Sequence, residues 1–234
     1  MNEIITGIIG AMPEEVELLK KAMKDADVRS IAGMDFYEGL IEGKRVVVVQ
    51  SGIGKVNAGI CAQLLISMFG AGRVINTGVA GSLDNRIDIG DIVVSTDALQ
   101  HDYDVSPIGF KKGEIPYTGI AAFPADDNLR QMAADAVRTV SEKRVFEGRI
   151  CSGDQFISSN EQKLRIINEF GGMCCEMEGA AIAQVCYLNS VPFVVIRAIS
   201  DKADESEGSM SYEQFVEEEA RNCSNIVLQM LESQ

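Results

Sequence analysis

The sequence predicts an α/β fold in three layers, with a central mixed, mainly parallel twisted sheet between helices. Three observations carry that expectation. Short β-branched apolar runs alternate with helical segments along all 234 residues. Phe193, Val194, Val195 and Ile196 are consecutive, as in a strand buried on both faces. Residues 35–50 read as a hairpin, which makes the sheet mixed. No internal repeat or low-complexity linker interrupts the pattern, so residues 1–234 are expected to form one domain.

Residues 4–10 form a short apolar run bounded by turn residues, the mark of a buried strand. Residues 14–26 read as a helix, with Pro13 suited to its first turn. Strands at 35–40 and 45–50 are joined by a turn at Glu42-Gly43-Lys44. A helix at 57–69 stops near Gly70, and a strand at 73–77 runs into a glycine-rich turn, Gly78-Val79-Ala80-Gly81-Ser82. Residues 91–99 are β-branched and read as a strand. Residues 101–123 carry proline and glycine at intervals and read as a long loop, a kind of segment that is often functional. Helices follow at 127–142 and 160–169, with strand signals at 149–152 and 173–177. An alanine-rich helix spans 178–188, and residues 192–199 give the strongest buried strand. Residues 211–231 form the final helix, with Ser211 and Gln214 spaced as a capping box.

Composition narrows the function. Apolar residues make up 46% of the chain, enough for a sizeable core, yet no run reaches about 18 apolar residues, so no membrane span is expected. The N-terminus lacks a basic region ahead of its apolar run, which argues against a signal peptide. Thirty-five acidic against 21 basic side chains give −14, the wrong sign for a nucleic-acid footprint. Six cysteines without a CxxC pair, and a single histidine, speak against zinc. Cys61 and Cys186 sit in apolar helical patterns and read as buried free thiols, which fits a reducing cytoplasm.

Acidic residues stand where apolar strands end. Glu14 and Glu15 follow the first strand, Glu176 and Glu178 lie in Cys175-Glu176-Met177-Glu178-Gly179-Ala180, and Asp201 closes Arg197-Ala198-Ile199-Ser200-Asp201. Separated acids at strand ends suit general acid/base chemistry on a small molecule. Capping and solvation are the competing structural explanations. Arg197, inside an apolar strand, calls for a carboxylate partner, with Glu176 and Glu178 as the candidates. Ser51-Gly52-Ile53-Gly54-Lys55 fails the phosphate-loop pattern because Val56 follows the lysine, leaving a strand-to-helix turn or a backbone contact to ligand. The 78–82 turn offers backbone N–H groups that suit an anion or a sugar. His101-Asp102 lacks a G-x-S-x-G elbow to act on, and the acidic stretch 204–209 reads as a solvated loop or a lid.

Seven strings occur in order: GIIGAMPEEV at 7–16, SGIGK at 51–55, NTGVAG at 76–81, GDIVVS at 90–95, SGDQFI at 152–157, EMEGA at 176–180 and VPFVVIRAISD at 191–201. Together they resemble the 5′-methylthioadenosine/S-adenosylhomocysteine nucleosidases of the nucleoside phosphorylase/hydrolase family. The resemblance implies a nucleoside phosphorylase-like fold that hydrolyses those two nucleosides to adenine and a 5-thio-substituted ribose, as in methionine salvage. It assigns Glu15 as the base that activates water and Asp201, oriented by Ser200, as the acid toward adenine N7. Glu178 is expected to hold the ribose hydroxyls, with Met177 beside the sugar and Val79, Ala80, Gly81 and Glu176 nearby. Phe156 is expected to stack on adenine and Ile157 to bond it through the backbone, with Met12 and Ile53 facing the alkylthio group. Tyr212 matches a closing aromatic residue. Val105, Ile108 and Pro116 match residues contributed by a partner subunit, which implies a homodimer. No metal and no cofactor are implied. Val79 stands where some relatives have serine, and Asn76 and the acidic N-terminal loop replace the phosphate-binding arginines of the phosphorylases, which favours hydrolysis over phosphorolysis. A phosphorylase, a nucleosidase for another 5′-modified adenosine and a non-catalytic nucleoside-binding protein remain the alternatives.

Overall fold

Consecutive apolar residues in the central strands point alternately into two cores. Ile8, Val46, Val48, Val194 and Ile196 enter one, while Ile9, Val47, Val49, Phe193 and Val195 enter the other. A sheet covered on both faces has no solvent side, which is why its strands read as unbroken apolar runs. The computed structural model describes residues 4–203 and 208–233, and of residues 208–211, 213 and 214 only the backbone.

The strands are β1 (Ile5–Gly10), β2 (Lys24–Ile31), β3 (Met34–Ile41), β4 (Lys44–Gln50), β5 (Ala71–Ser82), β6 (Ile92–Gln100), β7 (Ala122–Pro124), β8 (Val145–Ser152), β9 (Cys174–Glu176) and β10 (Phe193–Asp201). The helices are α1 (Pro13–Ala22), α2 (Lys55–Phe69), α3 (Asp127–Val140), α4 (Asn160–Phe170), α5 (Gly179–Leu188) and α6 (Gly208–Glu232). Strand order is β10-β6-β8-β9-β5-β1-β4-β3-β2, and β10 also pairs with β5. That extra pairing closes β5, β9, β8, β6 and β10 into a small barrel, while β1, β4, β3 and β2 extend from it as an open wing. The sheet is mixed, as expected: β1 lies parallel between β4 and β5, and β10 runs parallel to β5 but antiparallel to β6. Helices α1, α3 and α6 pack on one face, α2 and α5 on the other.

Three expectations need correction. Residues 78–82 are not a turn. They complete the twelve-residue strand β5, where Thr77–Ala80 pairs with Ile196–Ile199 and Gly81 pairs with both Asp201 and Cys175. The first helix stops at Ala22 instead of residue 26, and residues 24–31 form an edge strand paired only with β3. All its side chains but that of Ile31 are exposed, so it lacks the apolar alternation that identifies a strand. The last helix begins at Gly208, so Ser211 lies inside its first turn instead of capping it. The side chains of Ser211 and Gln214 lie outside the described residues, as does the candidate lid at 204–209 apart from the backbone of 208 and 209. All six cysteines are buried and free, Cys61 and Cys186 included. No helix among the described residues is long and apolar enough to cross a membrane.

Leu65 of α2 is fully buried in the core under β1, and its Cδ1 lies 3.0 Å from where a Cβ on Gly7 would stand. Leu65→Ala is expected to lower unfolding free energy by about 2–5 kcal/mol in chemical denaturation. A loss under about 1 kcal/mol would show that this layer is loosely packed.

Candidate active site

Pro13 starts α1, and Glu15 is its third residue. From there the Glu15 side chain turns back onto the helix start. Its Oε2 accepts the N–H groups of Ala11 at 2.6 Å and Met12 at 3.0 Å, as the acid of a capping box does. Its Oε1 accepts the N–H of Val79 in β5 at 3.1 Å. Valine at 79 therefore still serves through its backbone. Burial raises the Glu15 pKa, and Arg197 and the three N–H groups oppose the rise without cancelling it.

Strand β9 and the turn that follows it deliver the other two glutamates. Glu176 accepts from Arg197 Nη2 at 2.5 Å, from the N–H groups of Glu178 and Gly179, and from the Ser152 hydroxyl. Burial pushes Glu176 up, but Arg197 and Ser152 outweigh it and hold this carboxyl below its usual range. Arg197 is 2% exposed and also donates to Asn76 Oδ1 at 2.6 Å. Burial works against its charge, yet Glu176, Glu15 and Glu178 together keep it protonated. Of the two candidate partners, Glu176 is the one that bonds Arg197. Glu178 stands at the N-cap of α5, where its Oε1 accepts the Gly54 N–H at 2.7 Å. Its pKa is raised by burial first and the Glu176 charge second. The SGIGK segment is thus the strand-to-helix turn between β4 and α2, and its Gly54 N–H is committed to Glu178.

Asp201 ends β10. Its Oδ1 accepts the Ala203 N–H at 2.8 Å and its Oδ2 accepts the Ser200 hydroxyl at 3.0 Å. The glycines of β5 make room for the acids. A Cβ on Gly78 would stand 2.3 Å from Glu15 Oε1, and one on Gly81 would stand 2.7 Å from Asp201 Oδ1. Neither glycine has positive φ, so the requirement is space and not backbone freedom.

These groups face one cleft of about 150 Å³, open to solvent. Met12, Glu15, Ile53, Val79, Ala80, Gly81, Phe156, Ile157, Glu176, Met177, Glu178, Ser200, Asp201 and Tyr212 all line it. Tyr212 meets Phe156 edge-on at 5.5 Å and donates its hydroxyl to Met12 Sδ at 3.1 Å, forming an apolar wall. Ala11, Gln155 and Cys175 also line the cleft without having been singled out; each adjoins a residue that was, which was the available signal. Ser152, the buried residue that holds Glu176, lies in the SGDQFI string, whose pattern alone assigns it no role. Among the described lining residues there is no lysine or arginine, and Asn76 is spent on Ile9 O and Arg197. Val105, Ile108 and Pro116 lie on the segment between β6 and β7, outside this cleft, with Ile108 71% exposed. His101 is also outside it, buried against Gly153.

Residues 5–232 match the family model of the phosphorylase superfamily, and the chain belongs to that superfamily. A 5′-methylthioadenosine/S-adenosylhomocysteine nucleosidase of Staphylococcus carnosus is 45% identical over 97% of this chain and 99% of its own length. The nucleosidase of the same name from Neisseria meningitidis, solved with methylthio-immucillin-A, superposes with TM-score 0.95 at 40% identity, covering 98% of this chain and 99% of that one. A futalosine hydrolase of Helicobacter pylori gives TM-score 0.93 at 34% identity, covering 99% and 98%. Within the superfamily, the chain is a member of the 5′-methylthioadenosine/S-adenosylhomocysteine nucleosidase family.

Gly78→Ala is expected to displace the Glu15 carboxyl and cut turnover about 10²-fold while the protein stays folded. Unchanged turnover would mean that Glu15 need not sit where β5 holds it. A second expectation concerns stability. A carboxyl whose pKa is raised in the folded state supports the fold below its ordinary value and weakens it as pH climbs through the raised one. Glu178 is such a group, and Glu178→Gln removes its titration. The variant's melting temperature should gain on wild type as pH rises from about 5 to about 8. Parallel melting curves across that range would contradict the assignment.

Proposed function

We propose that this protein hydrolyses the N-glycosidic bond of 5′-methylthioadenosine and S-adenosylhomocysteine, releasing adenine and the 5-thio-substituted ribose. The observation that carries this reading is the convergence of Glu15, Glu178 and Asp201 on one apolar cleft, while Arg197, buried behind its lining, is already bound to Glu176. Cleavage develops positive charge on the sugar and negative charge on the departing base. Glu15 takes a proton from water as its oxygen attacks the anomeric carbon. The bonding pair leaves with adenine, and Asp201 supplies the proton at N7. Glu178 holds the ribose hydroxyls, with Met177, Val79, Ala80 and Gly81 around the sugar. Phe156 stacks on the base and Ile157 bonds it through its backbone. Met12, Ile53 and Tyr212 give the thioether an apolar wall. General acid/base assistance of this kind is worth roughly 10²–10⁴-fold per group. The absence of lysine or arginine among the described lining residues favours water over phosphate as the nucleophile.

We further propose that one catalytic domain of this kind works as a homodimer in the cytoplasm. Val56, Ile60 and Met68 form an exposed stripe along one face of α2, and Ile108 and Tyr117 are exposed on the segment after β6. Exposed apolar residues at that spacing suit a second copy, with Val105, Ile108 and Pro116 completing its cleft. Six buried free thiols suit a reducing compartment.

Adenine release from methylthioadenosine in phosphate-free buffer tests the activity. Wild type should turn over, and Glu15→Gln should lose most of its rate. Strict dependence on phosphate would select a phosphorylase instead. The likeness to a futalosine hydrolase supports a second reading, ranked by competing futalosine against methylthioadenosine in the same assay. Light scattering should give twice the chain mass, and Ile60→Glu should lower it to one.

A further inference from the structure

Two motifs set aside in the catalytic scheme meet in space. Lys55 closes the SGIGK turn and opens α2, while Asp102 follows His101 at the end of β6. Lys55 Nζ donates to Asp102 Oδ1 at 2.5 Å and to Gln100 Oε1 at 3.0 Å. The side chains of Lys55 and Asp102 are 16% and 17% exposed. A third member, Asp154, lies in the SGDQFI string. Its own N–H donates to Asp102 Oδ2 at 2.9 Å, and its Oδ1 accepts the Lys55 N–H at 2.8 Å. Lys55, Asp102 and Asp154 thus form a closed ring, each bonded to the other two.

The ring joins the two halves of the cleft. On one side, Gly54 immediately precedes Lys55 and donates its N–H to Glu178, and Ile53 precedes Gly54 on the thioether wall. On the other, Asp154 stands two residues before Phe156 and three before Ile157, the proposed adenine contacts. Gly54 has φ +98°, and a Cβ there would come within 3.2 Å of Asp154 Oδ1, so the approach of the two turns depends on that glycine. We infer that Lys55, Asp102 and Asp154 are positioning residues that set the distance between the turn that carries Ile53 and braces Glu178, the proposed ribose holder, and the adenine-holding turn. This rests on the nucleosidase reading above. A nucleoside spans both turns through one covalent bond, so a fixed separation lowers the ordering cost of binding it. Free adenine engages one turn and gains nothing from the ring. Burial pushes Asp102 up, but Lys55 and the Asp154 N–H outweigh it and keep the carboxylate charged. Charge-assisted bonds of this kind are the stronger class.

Lys55→Met and Asp102→Asn test the inference, each confirmed as folded by circular dichroism and thermal melting. Both are expected to lose about tenfold or more in kcat/KM for methylthioadenosine. Inhibition by free adenine should stay within about twofold of wild type, because the base-holding turn is intact. The double variant should lose no more than the worse single one, as residues of one network do. A kcat/KM within about threefold of wild type would overturn the inference, and so would adenine inhibition weakening in step with it. Wild-type turnover in the same assay tests the nucleosidase reading separately. Should wild type release no adenine, calorimetric binding of methylthioadenosine against adenine gives the same contrast.

Discussion

A guanidinium sits inside the sheet at Arg197, 2% exposed, on the strand that also carries Asp201. An isolated charge there would be prohibitive, and a buried pair that loses one partner typically costs about 3–5 kcal/mol. Glu176 meets the cation directly, and Glu15 and Glu178 add to the field that keeps it charged. In return, the cation lets carboxyl groups from β9 and α1 gather under one apolar cleft. Without it, Glu176 would lose the largest influence opposing burial, and Glu178 would stand beside a carboxyl with no counter-ion. The buried pair also fixes backbone. Glu176 takes the N–H groups of Glu178 and Gly179, and Ala180 donates its N–H to the Ser152 hydroxyl that bonds Glu176, so the start of α5 is set by the same carboxylate.

Space is managed with equal economy. Strand β5 pairs with β1 and β10, and its glycines stand where the acid side chains of α1 and β10 need room. Gly78 is bordered by Glu15 and Arg197, Gly81 by Asp201 and Ala203. Helix α6 secures the far side: the Ser224 hydroxyl donates to Glu15 O at 3.1 Å, and the Cys223 thiol to Gly78 O at 3.1 Å. The helix that carries Tyr212 over the cleft therefore also holds the backbone behind Glu15.

In the proposed reaction, Glu15 makes a stabilising device and a reactive group one. An acid at the third helical position ordinarily satisfies free N–H groups at the helix start. Here it does so from a buried position, with Val79 as a third donor, and burial leaves it less acidic than an exposed carboxyl. A carboxyl that is both oriented and moderately basic suits proton abstraction from water.

Local chemistry was legible in the sequence wherever a short stretch decides the outcome. Unbroken apolar runs marked strands covered on both faces, Pro13 marked the start of α1, and acids at strand ends marked Glu15, Glu178 and Asp201. The family strings carried the walls of the cleft. Tertiary structure decided what depends on distant partners. Residues 78–82 read as a turn by their glycines, but those glycines answer to Glu15 and Asp201, more than 60 and 110 residues away in sequence. Strand β2 was missed because an exposed edge strand leaves no burial pattern. The closure of β10 onto β5 and β6, and the choice of Glu176 over Glu178 as partner of Arg197, arise from long-range pairing that no local window contains. The sequence by itself determined which groups are present and at which strand ends. Folding decided which acid neutralises the buried cation and which remain to face the cleft, because that choice is made by distance and burial.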